Sequence, residues 1–157
     1  MENKPWLHII KDNFLDDYQF HLDKVLERKS IGSGGKYKLS ISDQTIFPYI
    51  VKYLDYFDHR PFKNGYKIDW YYSVQHGPYD YHIHSEWEKK ILSVVVYLGD
   101  VGTGTEIYNI DKSYFGQIKW KPNRAFIFAG KDDVTWHSYR SVENETRKTL
   151  NGFIIAT

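Results

Sequence analysis

The pattern of apolar and polar positions changes character once along the chain, near Tyr66. Before that point Trp6-Leu7-His8-Ile9-Ile10 reads as a short strand, and the segments after it are helical. Tyr18, Leu22, Val25 and Leu26 recur at helical spacing and predict a helix over about 17–28. Asp16 is placed to cap it with Gln19 as reciprocal partner, and Leu15 and Phe20 stand where a hydrophobic staple would join them. Gly32-Ser33-Gly34-Gly35 has the composition of a flexible connector. Ile46, Phe47, Ile50, Val51, Leu54 and Phe57 form a second stripe, a helix over about 46–57, with Pro48 tolerated in its first turn. Each apolar stripe needs a partner, so both helices are expected on the outside of a sheet.

From Tyr66 onward the period shortens to that of strands, with segments expected at 67–75, 79–85, 91–98, 105–109, 116–120, 124–129, 134–139 and 147–156. Turn residues separate them at His76-Gly77-Pro78, Gly99-Asp100, Gly102-Thr103-Gly104 and Lys121-Pro122-Asn123. Short strands at this spacing predict a mainly β fold, a jelly roll or double-stranded β-helix carrying two N-terminal helices on its outside. The expected organisation is one domain over 1–157, with helical support in 1–60 and the β core in 66–157. Along 91–98 one face is Leu92, Val94, Val96 and Leu98, which belongs in a core. The other carries Ser93 and Tyr97 and suits a cavity wall. On the last strand Arg147, Thr149, Asn151 and Phe153 share a face.

Composition narrows the chemistry. A chain of 157 residues is long enough to bury a core without staples, and its lack of cysteine excludes disulfides, thiolate zinc sites and a cysteine nucleophile. Any metal must be held through nitrogen and oxygen. The 21 Lys and Arg against 20 Asp and Glu leave no basic stripe, which disfavours nucleic acid. The start of the sequence shows no apolar signal core, and no window reaches membrane-span length, so no membrane partner is expected and the reading is a soluble cytoplasmic protein. The sequon Asn144-Glu145-Thr146 is taken as chance. Aromatic residues make up 18% of the chain, which favours pleated, half-buried surfaces.

The stretch Tyr81-His82-Ile83-His84-Ser85-Glu86 holds the candidate chemistry. In an extended strand His82, His84 and Glu86 project from one side. Two histidines and one carboxylate on one triangular face, with the remaining positions open, are a common arrangement for divalent iron. A strand supplies part of such a set, and His137 in Thr135-Trp136-His137-Ser138-Tyr139 is the candidate from elsewhere in the fold. Arg147 comes later, on the final strand, and an Arg fork is suited to pairing a buried carboxylate.

Together, and in this order, the stretches YHIHSE, SVVVYL, GTGTEIY, WKPNRAFIF, TWHSY and RKTLNGFI resemble the Fe(II)- and 2-oxoglutarate-dependent dioxygenases, in particular the prolyl-hydroxylase-like branch with short phage and bacterial members. The resemblance runs from about Tyr66 to Thr157. It implies His84, Glu86 and His137 on Fe(II), with 2-oxoglutarate and O2 taking the open positions and hydroxylation of an unactivated C–H bond, with succinate and CO2 released. It also implies Arg147 on the far carboxylate of 2-oxoglutarate, assisted by Tyr97, Thr149 and Asn151. Glu86 stands where most members carry Asp and is a methylene longer, so it must fold back to reach the same ion. The substrate is expected to be a peptide, a protein or a small molecule. Two other readings stay open: a cupin-like metal protein using His82, His84, Glu88 and His137, and a non-catalytic jelly-roll module. The segment from Gly130 to Trp136 lacks the Pro-x-Gly-x-x-His pattern that cupins tend to carry. Trp70, Tyr72 and Tyr81 are candidates for the cavity mouth, with plain packing the favoured role in so aromatic a chain; His76 and His82 are read as surface positions or as supports just outside the metal site, and Trp136 as core. The loops Gly32 to Lys38, Asp58 to Tyr66 and Gly99 to Thr105 are candidate lids.

Overall fold

The structure, a computed structural model, describes residues 6–26, 36–40, 48–57 and 65–157. The expected glycine connector at 32–35, positions 27–28 of the first helix, 46–47 of the second and 58–64 of the second candidate lid lie outside the described residues. The strands are β1 (His8–Lys11), β2 (Lys36–Ser40), β3 (Tyr66–His76), β4 (Tyr79–His84), β5 (Lys90–Leu98), β6 (Thr105–Tyr108), β7 (Tyr114–Ile118), β8 (Ala125–Phe128), β9 (His137–Ser141) and β10 (Thr146–Ala156). They form a 6-stranded sheet in the order β1-β8-β5-β10-β3-β2 and a 4-stranded sheet in the order β4-β9-β6-β7. Every pairing is antiparallel. The expected jelly roll is therefore the observed fold.

The large sheet is built on β10, which at 11 residues is long enough to pair with β3 on one side and β5 on the other. One face of these strands supplies Leu92, Val94, Val96, Leu98, Leu150 and Ile154 to the main core. The helix α1 (Tyr18–Leu26) and a 3-10 helix (Val51–Tyr56) close that face with Val25, Ile50, Tyr53 and Phe57. Both helices thus lie outside the sheet, as their stripes require. Gly152 of β10 is where Trp70 of β3 crosses the strand: a Cβ there would fall 2.0 Å from a ring carbon. Trp70 and Tyr72 are buried on the helix side, in the packing role favoured for them, and do not line the cavity. The other sheet face meets the small sheet, and there Trp6, Tyr97, Ile107, Ile118, Phe126 and Phe128 form a second core.

Local details differ from the sequence pattern for identifiable reasons. The strand β2 is an addition to the expected set, because the preceding glycines dominate that region of the sequence. The expected second helix tightens into 3-10 geometry from Val51. At the start of α1 the staple does not form: Leu15 is buried in the core while Phe20 is 51% exposed with the Lys24 ammonium over its ring. Gln19 bonds Asp23 one turn ahead in place of turning back to Asp16. The N-terminal segment is instead pinned by Asn123, whose side chain accepts from Leu15 N–H and donates to Leu15 C=O from a left-handed turn position, φ 59°. Among the described residues no helix is long and apolar enough to cross a membrane.

Candidate metal and co-substrate site

A cavity of about 190 Å³ lies between the two sheets. Its wall is made by the faces of β3, β5 and β10 that turn away from the helices, and by β4 and β9 of the small sheet. The alternation along β5 and β10 works as expected here: Ser93, Val95, Arg147, Thr149, Asn151 and Phe153 all line it.

The alternation along β4 does not. Tyr81 pairs with Tyr139 and His84 with His137, so three steps along β4 match two along β9 and one residue is extra. The bulge brings Tyr81 and His84 onto the same wall and turns His82 out to solvent, where it is exposed. The expectation that His82 shares the face of His84 and Glu86 is thereby corrected. Glu86 lies just beyond β4, 8% exposed and in the cavity wall. Glu88 is exposed, and neither it nor His82 lines the cavity, so the cupin-like set is not brought together.

His84, Glu86 and His137 each offer a ligand atom within 4.8 Å of the others. Nδ1 of His84 lies 3.0 Å from His82 C=O, and Nδ1 of His137 lies 2.7 Å from Thr135 C=O. A carbonyl only accepts, so both Nδ1 atoms carry hydrogen and a neutral ring keeps its lone pair on Nε2. Both Nε2 atoms face the same oxygen, Glu86 Oε1, at 3.8 and 3.6 Å. Those separations exceed hydrogen-bond length. Lone pairs aimed at an anion require a proton or a cation between them, and burial pushes the His137 imidazole below its ordinary value, Glu86 offsetting this only in part. For Glu86, burial alone would raise the carboxyl, but His137, His84 and Lys90 outweigh it and hold the group well below the usual carboxylate range. Two imidazole Nε2 atoms and an ionised carboxylate converging on one point fit a divalent cation.

Thr135 organises this end of the cavity. Its carbonyl fixes His137, and its hydroxyl accepts from Glu86 N–H at 3.3 Å while donating to Lys131 C=O. Lys90 Nζ stands 2.6 Å from Glu86 Oε2.

Arg147 lines the same cavity. Its residue is 3% exposed, Nε donates to Thr103 C=O at 3.1 Å, and one Nη donates to Thr105 Oγ1 at 3.3 Å. The guanidinium lies over Tyr139 at 4.5 Å and near the rings of Tyr97 and Trp120. Among the described residues no carboxylate forms an ion pair with it. A buried cation in that state is left needing an anion. Thr149 and Asn151 stand beside it on β10, their side chains bonded to each other. Tyr97 is placed differently from the expectation: its hydroxyl is engaged by Thr105 and Ile118 C=O, its ring stacks on Trp120, and it is absent from the cavity wall. It supports the guanidinium from behind. The loop from Gly99 to Thr105, expected as a lid, is instead the bracket that receives Arg147, tied down by Thr103 and Thr105.

Sequence reasoning missed Lys90, Tyr71, Ser73, Thr105, Thr135 and Tyr139. Tyr139 was legible, being two residues from His137 on one strand. Tyr71 was not, since its face is decided by which side of β3 the helices cover.

No protein-family model matches the chain, and no curated protein matches it. Solved structures do match. A Pseudomonas putida prolyl-4-hydroxylase is 12% identical, with 96% of this chain and 92% of that one covered and a TM-score of 0.67. The viral collagen prolyl hydroxylase of Paramecium Bursaria Chlorella virus-1, in its 2-oxoglutarate complex, is 16% identical over 99% of this chain and 98% of that one, TM-score 0.64. A Trichoplax adhaerens prolyl hydroxylase bound to a peptide of the hypoxia inducible factor oxygen degradation domain is 14% identical over 95% and 83%, TM-score 0.64. The chain shares the jelly-roll fold of these prolyl hydroxylases.

Proposed function

We propose that the protein is an Fe(II)- and 2-oxoglutarate-dependent dioxygenase of the prolyl-hydroxylase-like kind. The observation that carries this reading is the presence, in one cavity, of three converging metal donors and a buried guanidinium that no carboxylate among the described residues pairs. His84, Glu86 and His137 would hold the iron through Nε2, Oε1 and Nε2. Arg147 would pair the far carboxylate of 2-oxoglutarate, a charge-assisted contact worth about 1.5–3 kcal/mol. Thr149 and Asn151 supply polar side chains beside it, and Tyr97, Trp120 and Tyr139 hold the guanidinium in place. When bound, Fe(II) and 2-oxoglutarate together with O2 supply the oxidising power for hydroxylating an unactivated C–H bond, with release of succinate and CO2.

The cavity wall also carries Tyr71, Tyr81 and Tyr139, with Tyr81 and Tyr139 stacked at 4.8 Å. Such a wall packs against an aliphatic side chain or ring, which agrees with a peptidyl or small-molecule substrate, a prolyl residue among the first to try. A cytoplasmic setting, as a reducing compartment that keeps iron ferrous, belongs to the same reading.

The test is calorimetric titration of 2-oxoglutarate into protein loaded with redox-inert Mn(II). Binding that requires the metal, and that Arg147→Ala weakens about ten- to a hundred-fold while Mn(II) affinity holds, is expected. Metal-independent binding, or an Arg147→Ala variant with full affinity, contradicts the reading.

A further inference from the structure

The carboxylate of Glu86 has two oxygens, and the protein treats them differently. Oε1 faces the imidazoles of His84 and His137, whereas Oε2 lies 2.6 Å from Lys90 Nζ. The lysine is held to that duty from several directions. Its backbone N–H donates to Trp87 C=O, its own C=O accepts from Gly130 N–H, and its ammonium sits 4.0 Å from the centre of the Phe153 ring. Phe153 is in turn packed on Tyr71. The lysine side chain is 25% exposed and lines the same cavity, so its charge stands beside the ion site itself.

A cation beside a cation site is costly. Coulomb repulsion weakens metal binding over such distances, so a lysine there needs a compensating role. Glu has one more rotatable bond than Asp and can swing both oxygens onto one ion.

Resting on the metal-site reading above, we propose that Lys90 is a positioning residue that reserves Oε2 of Glu86, so that the carboxylate offers the ion one oxygen and the coordination positions needed by co-substrate stay open. Lys90 trades metal affinity for access. The longer acid at position 86 and the lysine at position 90 then form one device.

The test compares wild type, Lys90→Met, which keeps the apolar stem over Phe153, and Lys90→Arg, which keeps the charge. Mn(II) is expected to bind Lys90→Met on the order of ten-fold more tightly, since repulsion is removed. That gain alone also results from charge loss, so the absorption spectrum of Co(II)-loaded protein decides. A second carboxylate oxygen on the ion changes the d–d bands of Lys90→Met, and Lys90→Arg retains the wild-type spectrum. With Mn(II) bound, 2-oxoglutarate is expected to bind Lys90→Met about ten-fold more weakly or worse. A Co(II) spectrum unaltered in Lys90→Met overturns the proposal while leaving the metal site standing. Failure of wild type to bind either ion overturns both.

Discussion

Among individual residues, hydrogen-bond direction decides more than residue identity does. His84 and His137 commit Nδ1 to backbone carbonyls, which leaves Nε2 of each turned to Glu86. Partners of this kind fix tautomer and ring orientation and commonly carry ten- to a hundred-fold in metal affinity. Thr135→Val keeps the carbonyl that holds His137 but removes the hydroxyl that holds Glu86 N–H, and should weaken Mn(II) binding by about ten-fold in calorimetry. Glu86→Ala should abolish measurable binding, whereas His82→Ala should leave it within about two-fold, because the bulge in β4 turns that ring outward. The opposite ranking would restore the cupin-like set. The sequence made His84, Glu86, His137 and Arg147 legible because each is a residue type with few bland roles in such a pattern. It read His82 as a surface position but put it on the face of His84 and Glu86, because a bulge leaves no mark in the alternation, and it missed Lys90 because a lysine on a strand usually points to water.

Among the elements, β10 organises the molecule. One of its faces builds the helix-side core and the other the cavity wall, so every residue from Arg147 to Ile154 has a fixed side. Gly152→Ala would push a methyl group into Trp70 and should cost about 1–3 kcal/mol in urea unfolding; an unchanged midpoint would show that the indole moves freely. The docking of α1 has its own signature. His21 is fully buried between Tyr72 and Asp17, with Nδ1 at the Tyr72 hydroxyl and Nε2 3.2 Å from Asp17. Burial depresses its folded-state pKa, with Asp17 only partly opposing, so the neutral ring is the folded form. A depressed value means stability present above the ordinary imidazole value of about 6.5 and lost as pH falls below it. Wild type should therefore lose stability between about pH 7 and 5, and His21→Asn, less stable at neutral pH, should show a flatter profile over that window. Most strands and both helices were legible from periodicity. The staple was not: Phe20 sits at staple spacing in the sequence, yet Asn123 holds Leu15 and takes over the anchoring of that segment.

Over the whole molecule, the site spans the two sheets. His84, Glu86 and His137 come from β4, the turn after it and β9, while Arg147 comes from β10, so ligands placed between them tie one sheet to the other. Ligands that bind only the folded chain stabilise it by mass action, about 2.7 kcal/mol at a hundred times Kd, or roughly 5–10 °C in Tm for a chain of this length. Mn(II) with 2-oxoglutarate should raise Tm more than Mn(II) alone, and the extra increment should vanish in Arg147→Ala. In the proposed complex His84, Glu86 and His137 would hold the iron and Arg147 the far carboxylate of 2-oxoglutarate. Anaerobic titration of the protein with Fe(II) and then 2-oxoglutarate reads out both at once. The expected result is a weak visible charge-transfer band that saturates at one equivalent of each and is lost in Glu86→Ala. A colourless solution at saturating concentrations of both would contradict it.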